Sequence, residues 1–155
     1  KIEDGLKEGE ILVKGENVML GYYKSKEETD LVLRDNWLYT GDIGTIDSHG
    51  FLYILGRKKN VIVLQSGLKI YPEELEEELL KSPVIRDACV IGKKEPGYPE
   101  EKVYALIVPH EEYLGLNIEK DYHKLKELIE KEIKTLNSRL ATYKHLSLIQ
   151  KIWLS

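Results

Sequence analysis

Gly56 to Glu76, GRKKNVIVLQSGLKIYPEELE, constrains the fold more than any other stretch of the chain. A short basic run, Arg57-Lys58-Lys59, leads into Val61-Ile62-Val63-Leu64. Apolar, mostly β-branched residues in a row predict a buried strand, because such side chains suit a pleated surface. Ser66-Gly67 marks a turn, and Lys69-Ile70-Tyr71 returns from it as the second arm of a hairpin. Pro72 then predicts a helix start, since the N–H it lacks would have no partner in a first turn. Glu73, Glu74, Glu76 and Glu77 follow, where negative charge complements the positive end of the helix dipole. The helix is predicted over Pro72 to Lys81, and Ser82-Pro83 ends it.

On the amino-terminal side, Gly9 to Gly15 reads as a short strand and Glu16 to Leu20 as a second one. Ser25 with Glu28 three residues on predicts a capping box for a helix from about Lys26 to Leu33, with Leu31 and Val32 facing the core. Tyr22 and Tyr23 are expected to pack rather than to catalyse. Ile43–Asp47 and Phe51–Leu55 flank Ser48-His49-Gly50 and predict a hairpin with a solvated His49 at its tip. Arg57 to Asn60, polar and basic, is the natural linker between a β-rich unit and a mixed one. Past it, Ala88–Ile91 and Val103–Val108 read as strands forming a sheet against the acidic helix. From about Ile118 to Leu136, Leu125, Leu128, Ile129, Ile133 and Leu136 make one apolar helical stripe, with Glu127–Lys131 and Glu130–Lys134 as i,i+4 pairs. Leu146 to Ile149 reads as a last strand.

Hydrophobic residues make up 42% of the chain and charged residues 32%, a soluble globular composition, and the net charge of -4 argues against a nucleic-acid partner. The single cysteine, Cys89, lies in the apolar run Ala88-Cys89-Val90-Ile91 and is expected to be buried; a chain without a possible internal disulfide suits a reducing cytoplasm. No apolar run is long enough for a transmembrane segment. The chain opens at Lys1 without a methionine and is read as a fragment of a larger protein.

Three motifs in order carry a resemblance. Gly9-Glu10 through Gly21-Tyr22 to Thr29, then Tyr39-Thr40-Gly41-Asp42, then Gly56-Arg57 through Gly67 and Lys69 to Pro72-Glu73-Glu74-Leu75-Glu76, resemble the signatures of the acyl-adenylate-forming enzymes: acyl-CoA synthetases, peptide-synthetase adenylation domains and luciferases. The spacing between Arg57 and Gly67 is similar to that of long-chain fatty acyl-CoA synthetases. The resemblance implies an α+β fold, with 1–57 as the β-rich end of the large adenylating domain and 58–155 as a small mixed sheet-and-helix lid domain. It implies a ligase that joins a fatty acid or other carboxylic acid to coenzyme A through an acyl-adenylate, using ATP and magnesium. Loading of an acyl carrier protein is the alternative acceptor, and a non-catalytic interaction module is the alternative function. The location implied is cytoplasmic, with peripheral membrane association left open.

Residue by residue, the resemblance gives Asp42 the ribose hydroxyls of the nucleotide and Arg57 its ribose or phosphate side. An ionised carboxylate only accepts hydrogen bonds, through two oxygens, and guanidinium offers a fixed fork of donors. It gives Lys59 the hinge on which the lid turns, and Ser66-Gly67 the approach to the pantetheine arm of coenzyme A. Asn60 and Val63 depart from the acidic and lysine residues common at those places in the family, so no role is carried to them. The family's adenylating lysine falls beyond Ser155, and its magnesium contacts upstream of Lys1, so 1–155 is expected to be inactive by itself. Lys144 and Lys151 are poor substitutes for that lysine.

Overall fold

The computed structural model describes residues 8–97, 101–117 and 120–148. The chain divides into two units, Lys1–Asn60 and Val61–Ser155.

The first unit is built around one long strand. β1 (Gly9–Val13), β2 (Leu33–Arg34) and β4 (Leu52–Arg57) all pair antiparallel with β3 (Trp37–Ile46), and α1 (Lys26–Val32) precedes β2. The β3–β4 hairpin forms as the sequence predicts. Asp47 closes it by accepting the N–H groups of His49 and Phe51, and the Phe51 N–H bond is the main cause that holds its carboxyl below the usual aspartate range. His49 is solvated at the tip, its side chain 80% exposed.

Four expectations for this unit are corrected. Glu16–Leu20 is not a strand: the Val18 N–H turns back to the Gly15 carbonyl, so the segment closes as turns. Ser25 precedes α1, but its side chain makes no cap bond. Its carbonyl receives both the N–H and the hydroxyl of Thr29, and its N–H is given to the Tyr22 carbonyl, so the capping box does not form. Leu31 is exposed, because α1 is only two turns long and presents Val32 rather than Leu31 inward. Tyr22 and Tyr23 are exposed rather than packed.

The second unit holds the main core. β5 (Ile62–Val63) and β6 (Lys69–Ile70) form a short hairpin, followed by α2 (Pro72–Leu80). β7 (Ile85–Lys94) and β8 (Glu101–Pro109) pair antiparallel, α3 (Glu111–Leu114) and α4 (Tyr122–Asn137) follow, and β9 (Leu146–Leu148) returns parallel to β8. The sheet order is β7-β8-β9. β8 alternates strictly, with Val103, Ala105, Ile107 and Pro109 buried. That face meets Leu75 and Leu79 of α2 and Ile129, Ile133 and Leu136 of α4 in one cluster with Ile62, Leu64, Ile70 and Val90. The amphipathic stripe read in α4 is therefore its packing face.

The hairpin is shorter than Val61–Leu64 suggested. Ile62 and Leu64 are buried while Val63 is 57% exposed, so the run is one edge of a two-residue ladder and not a strand buried on both faces. Cys89 is exposed, which corrects its predicted burial. In β7 successive side chains take opposite faces, and Val90 occupies the inward one. What burial Cys89 does have, together with the charges of Glu76 and Asp87, raises its thiol above the ordinary range. α4 begins at Tyr122 behind Asp121, later than the predicted start; Ile118 and Ile149 lie outside the described residues. The helix surface pair is Lys126–Glu130 at 3.8 Å, not the two predicted pairs.

Two side chains tie helices to strand backbone. Asn137 at the end of α4 donates from Nδ2 to the Leu146 carbonyl and accepts the Leu146 N–H at Oδ1, both at 2.9 Å. Glu76 of α2 accepts the Val90 N–H of the edge strand at 2.7 Å. This explains why a carboxylate closes the Pro72–Glu76 motif: it satisfies an edge donor beside the buried Val90. Glu76→Ala is expected to destabilise the second unit by about 1.5–3 kcal/mol, the range for a hydrogen bond to a charged group, and Glu76→Gln by about 0.5–1 kcal/mol. Denaturant midpoints of the two variants measure the difference; equal midpoints would remove this role from Glu76. Among the described residues, no helix is long and apolar enough to cross a membrane.

Candidate functional site

The pairing of β1 with β3 breaks where the Thr-Gly-Asp motif lies. Leu12 stands opposite Tyr39 and Glu10 opposite Ile43, so Ile11 alone faces Thr40, Gly41 and Asp42. The three motif residues are thus a bulge, a feature that redirects side chains out of a ladder. Gly41 sits at φ 74°, in the left-handed region that glycine enters without penalty.

Three groups fasten this bulge. Thr40 Oγ1 donates to the Ile11 carbonyl at 2.9 Å and accepts the Asp42 N–H at 3.0 Å. Glu10 Oε1 accepts the Gly41 N–H at 3.2 Å, while its Oε2 lies 2.8 Å from Lys58 Nζ. Arg57 reaches back from the end of β4: one terminal nitrogen donates to the Thr40 carbonyl at 3.1 Å, and Nε lies 3.1 Å from Asp42 Oδ1. Asp42 and Arg57 are also register partners in the β3–β4 ladder, which brings the two predicted nucleotide residues together. Asp42 Oδ2 has no partner among the described residues, and the side chain is 27% exposed. One accepting oxygen is thus fully available, and Oδ1 retains a lone pair beside Arg57.

Glu10, Thr40, Gly41 and Arg57 border a cleft of about 570 Å³, lined also by Tyr39, Lys58 and Lys59, and Asp42 reaches it only through its pair with Arg57. Its polar wall is cationic, with three basic side chains beside Glu10. Lys59 lies in a single 3-10 turn, Lys58–Asn60, that ends the first unit. Ser66 and Gly67 are elsewhere, on the exposed tip of the β5–β6 hairpin. There the Gly67 N–H bonds the Leu64 carbonyl at 2.9 Å, Gly67 has φ 80°, and no atom lies within 4 Å of where a Cβ would be. Backbone conformation, not crowding, is what selects glycine at this tip. Lys144 is held by both oxygens of Glu74, at 2.8 and 2.7 Å. Lys151 lies outside the described residues. Among the described residues, no three His, Cys, Asp or Glu side chains are grouped to hold a metal.

Sequence reasoning placed no role on Glu10, Thr40 or Lys58. The signal was present in part, since Gly9-Glu10 opens the first motif and Lys58 adjoins Arg57. Their convergence follows only from the strand pairing.

Residues 59–152 match the model of the AMP-binding enzyme C-terminal domain. A long-chain-fatty-acid–CoA ligase of Bacillus subtilis (strain 168) is 48% identical over 100 residues, 64% of this chain and 18% of the relative. A 2-succinylbenzoate–CoA ligase of Bacillus cytotoxicus is 47% identical over 88 residues, 57% of this chain and 18% of the relative. The chain therefore spans less than a fifth of the length of these relatives. Among solved structures, the o-succinylbenzoate CoA synthetase of Bacillus subtilis, in complex with its acyl-adenylate intermediate, superposes with a TM-score of 0.71 at 30% identity, over 93% of this chain and 27% of that one. An amide bond synthetase of Marinactinospora thermotolerans superposes with a TM-score of 0.66 at 26% identity, again over 93% of this chain and 27% of that one.

Proposed function

The chain belongs to the AMP-binding enzyme C-terminal domain family, within the adenylate-forming enzymes, and on that premise we propose that it forms part of an ATP-dependent acid–CoA ligase. The single observation that carries this reading is the Thr40–Asp42 bulge, with Asp42 ion-paired to Arg57, a residue that lines a cationic cleft.

In the proposed reaction an oxygen of the carboxylate attacks the α-phosphate of ATP, a P–O bond forms, and pyrophosphate leaves. The thiol of coenzyme A then attacks the acyl carbon, its proton is lost, and AMP departs as the C–S bond forms. Catalysis of this kind rests on positioning and on stabilising charge. Asp42 takes the ribose diol, because two hydroxyl donors need two accepting oxygens and its carboxylate has the free capacity. Arg57 serves twice: it orients Asp42 through Nε and adds positive charge to the cleft wall. Lys59, in the last turn before the second unit, is the backbone hinge, and Ser66-Gly67 is the contact for the pantetheine arm. Magnesium would supply charge neutralisation at the phosphates, although among the described residues no three His, Cys, Asp or Glu side chains are grouped to hold it.

Both kinds of acid are represented among the relatives, an alkyl acid in one and an aromatic keto-acid in the other. We favour a fatty acid, on the spacing from Arg57 to Gly67. The test is thioester formation by the whole protein with ATP and magnesium, with acids of graded chain length and 2-succinylbenzoate in parallel, and with coenzyme A or an acyl carrier protein as acceptor. Coenzyme A thioester made best from long acids is the expected result. Preference for 2-succinylbenzoate moves the substrate, transfer only to the carrier moves the acceptor, and no acid-dependent pyrophosphate release refutes the ligase.

A further inference from the structure

We infer that Glu10 is a positioning residue whose two carboxylate oxygens do separate jobs, one setting the Asp42 bulge and the other tethering the turn that carries Lys59. The functional half of this rests on the nucleotide role proposed for Asp42.

A bulge of three residues against one leaves backbone groups without ladder partners. The Gly41 N–H is one such group. Its partner is not backbone but Glu10 Oε1, at 3.2 Å, reaching across from β1. Because Gly41 adopts φ 74° and Asp42 is the next residue, the direction in which the Asp42 carboxylate points depends on how this peptide is held. Glu10 is well placed to hold it, since its side chain is only 19% exposed. Thr40 and Arg57 fix the flanking groups, the Thr40 hydroxyl on the Ile11 carbonyl and the Arg57 guanidinium on the Thr40 carbonyl. Glu10 supplies the remaining restraint at the centre.

The other oxygen, Oε2, contacts Lys58 Nζ at 2.8 Å, 48 residues away in sequence. Lys58 opens the 3-10 turn of Lys58–Asn60. One carboxylate therefore joins the bulge to that turn within the same unit. A charge is needed for the second job and only an acceptor for the first, which makes the two separable by substitution. Gln at position 10 keeps an accepting oxygen for Gly41 but loses the ion pair. Met at position 58 keeps the Gly41 bond and loses the same ion pair. Ala at position 10 loses both.

The experiment uses the whole protein, with hydrogen exchange read by mass spectrometry over the segments 38–44 and 57–60, and with separate Michaelis constants for ATP and for the carboxylic acid. Glu10→Ala is expected to speed exchange in both segments by about tenfold or more and to raise KM for ATP about tenfold, with KM for the acid unchanged. Glu10→Gln is expected to bring exchange at 38–44 and KM for ATP back to within about threefold of the parent, while 57–60 stays fast. Lys58→Met is expected to reproduce the fast 57–60 segment alone. Equal effects of Glu10→Ala and Glu10→Gln on 38–44 would overturn the division of labour. So would a Glu10→Ala defect shared equally by ATP and acid, which is the mark of a general structural fault. If the exchange pattern appears but the parent protein does not consume ATP, the positioning of the bulge stands and the ligase reading fails.

Discussion

Replacing Leu75 with alanine is expected to lower the stability of the second unit by about 3–5 kcal/mol, on the order of 15–25 °C in melting temperature for a domain of this size. Leu75 is fully buried, with 0% of its surface exposed, on the face of α2 that meets β7 and α4. Truncation removes its transfer free energy and leaves a void in a cluster that includes Ile70, Ala105 and Ile129, each itself fully buried. Two of these cluster members are β-branched and stiff and the third is already small, which limits collapse into the space. Leu80, five residues on in the same helix, is 47% exposed, and Leu80→Ala is expected to cost less than about 1 kcal/mol. Thermal melts of the two variants check the contrast, with exchange over 85–109 locating the loss. Similar melts would mean that the helix is not anchored through Leu75.

The same leucine shows how much of this fold was legible. Pro72, the acidic first turn and the apolar spacing of α2 are local signals, and α2 forms where they say. The stripe of α4 and the alternation of β8 are periodic signals that both survive packing. Failures came where a local signal had a second outcome. Ala88-Cys89-Val90-Ile91 is apolar throughout, but a strand with helices on one face buries alternate residues, and Cys89 drew the outer face. Ser25 and Glu28 have the spacing of a capping box, but the Ser25 N–H that Glu28 would have to accept is already given to the Tyr22 carbonyl. For the site, motif order pointed to Asp42 and Arg57, and the ladder pairs them. Glu10 stayed hidden because its partners, Gly41 and Lys58, lie 31 and 48 residues away and meet it only when three residues of β3 stand against one of β1.

Asp42 carries the largest expected effect on activity. In the whole protein, Asp42→Ala is expected to lower kcat/KM for ATP by about 10²–10³-fold, and Asp42→Asn by about tenfold. The larger figure corresponds to losing two charge-assisted hydrogen bonds, each worth about 1.5–3 kcal/mol, with about 1.4 kcal/mol per factor of ten. Asparagine keeps one oxygen but presents an amide donor where the second hydroxyl also donates, so it recovers only part. Neither substitution should unfold the first unit. The Asp42–Arg57 ladder is backbone pairing, and the Arg57 side chain is 55% exposed, so water can replace its lost partner, with the Thr40 carbonyl still in place. The carboxylic acid's Michaelis constant should therefore remain within about threefold of the parent, which separates a nucleotide contact from a collapsed site. If Asp42→Ala leaves kcat/KM for ATP within threefold, Asp42 does not hold the ribose, and the bulge is a structural corner whose motif has another purpose.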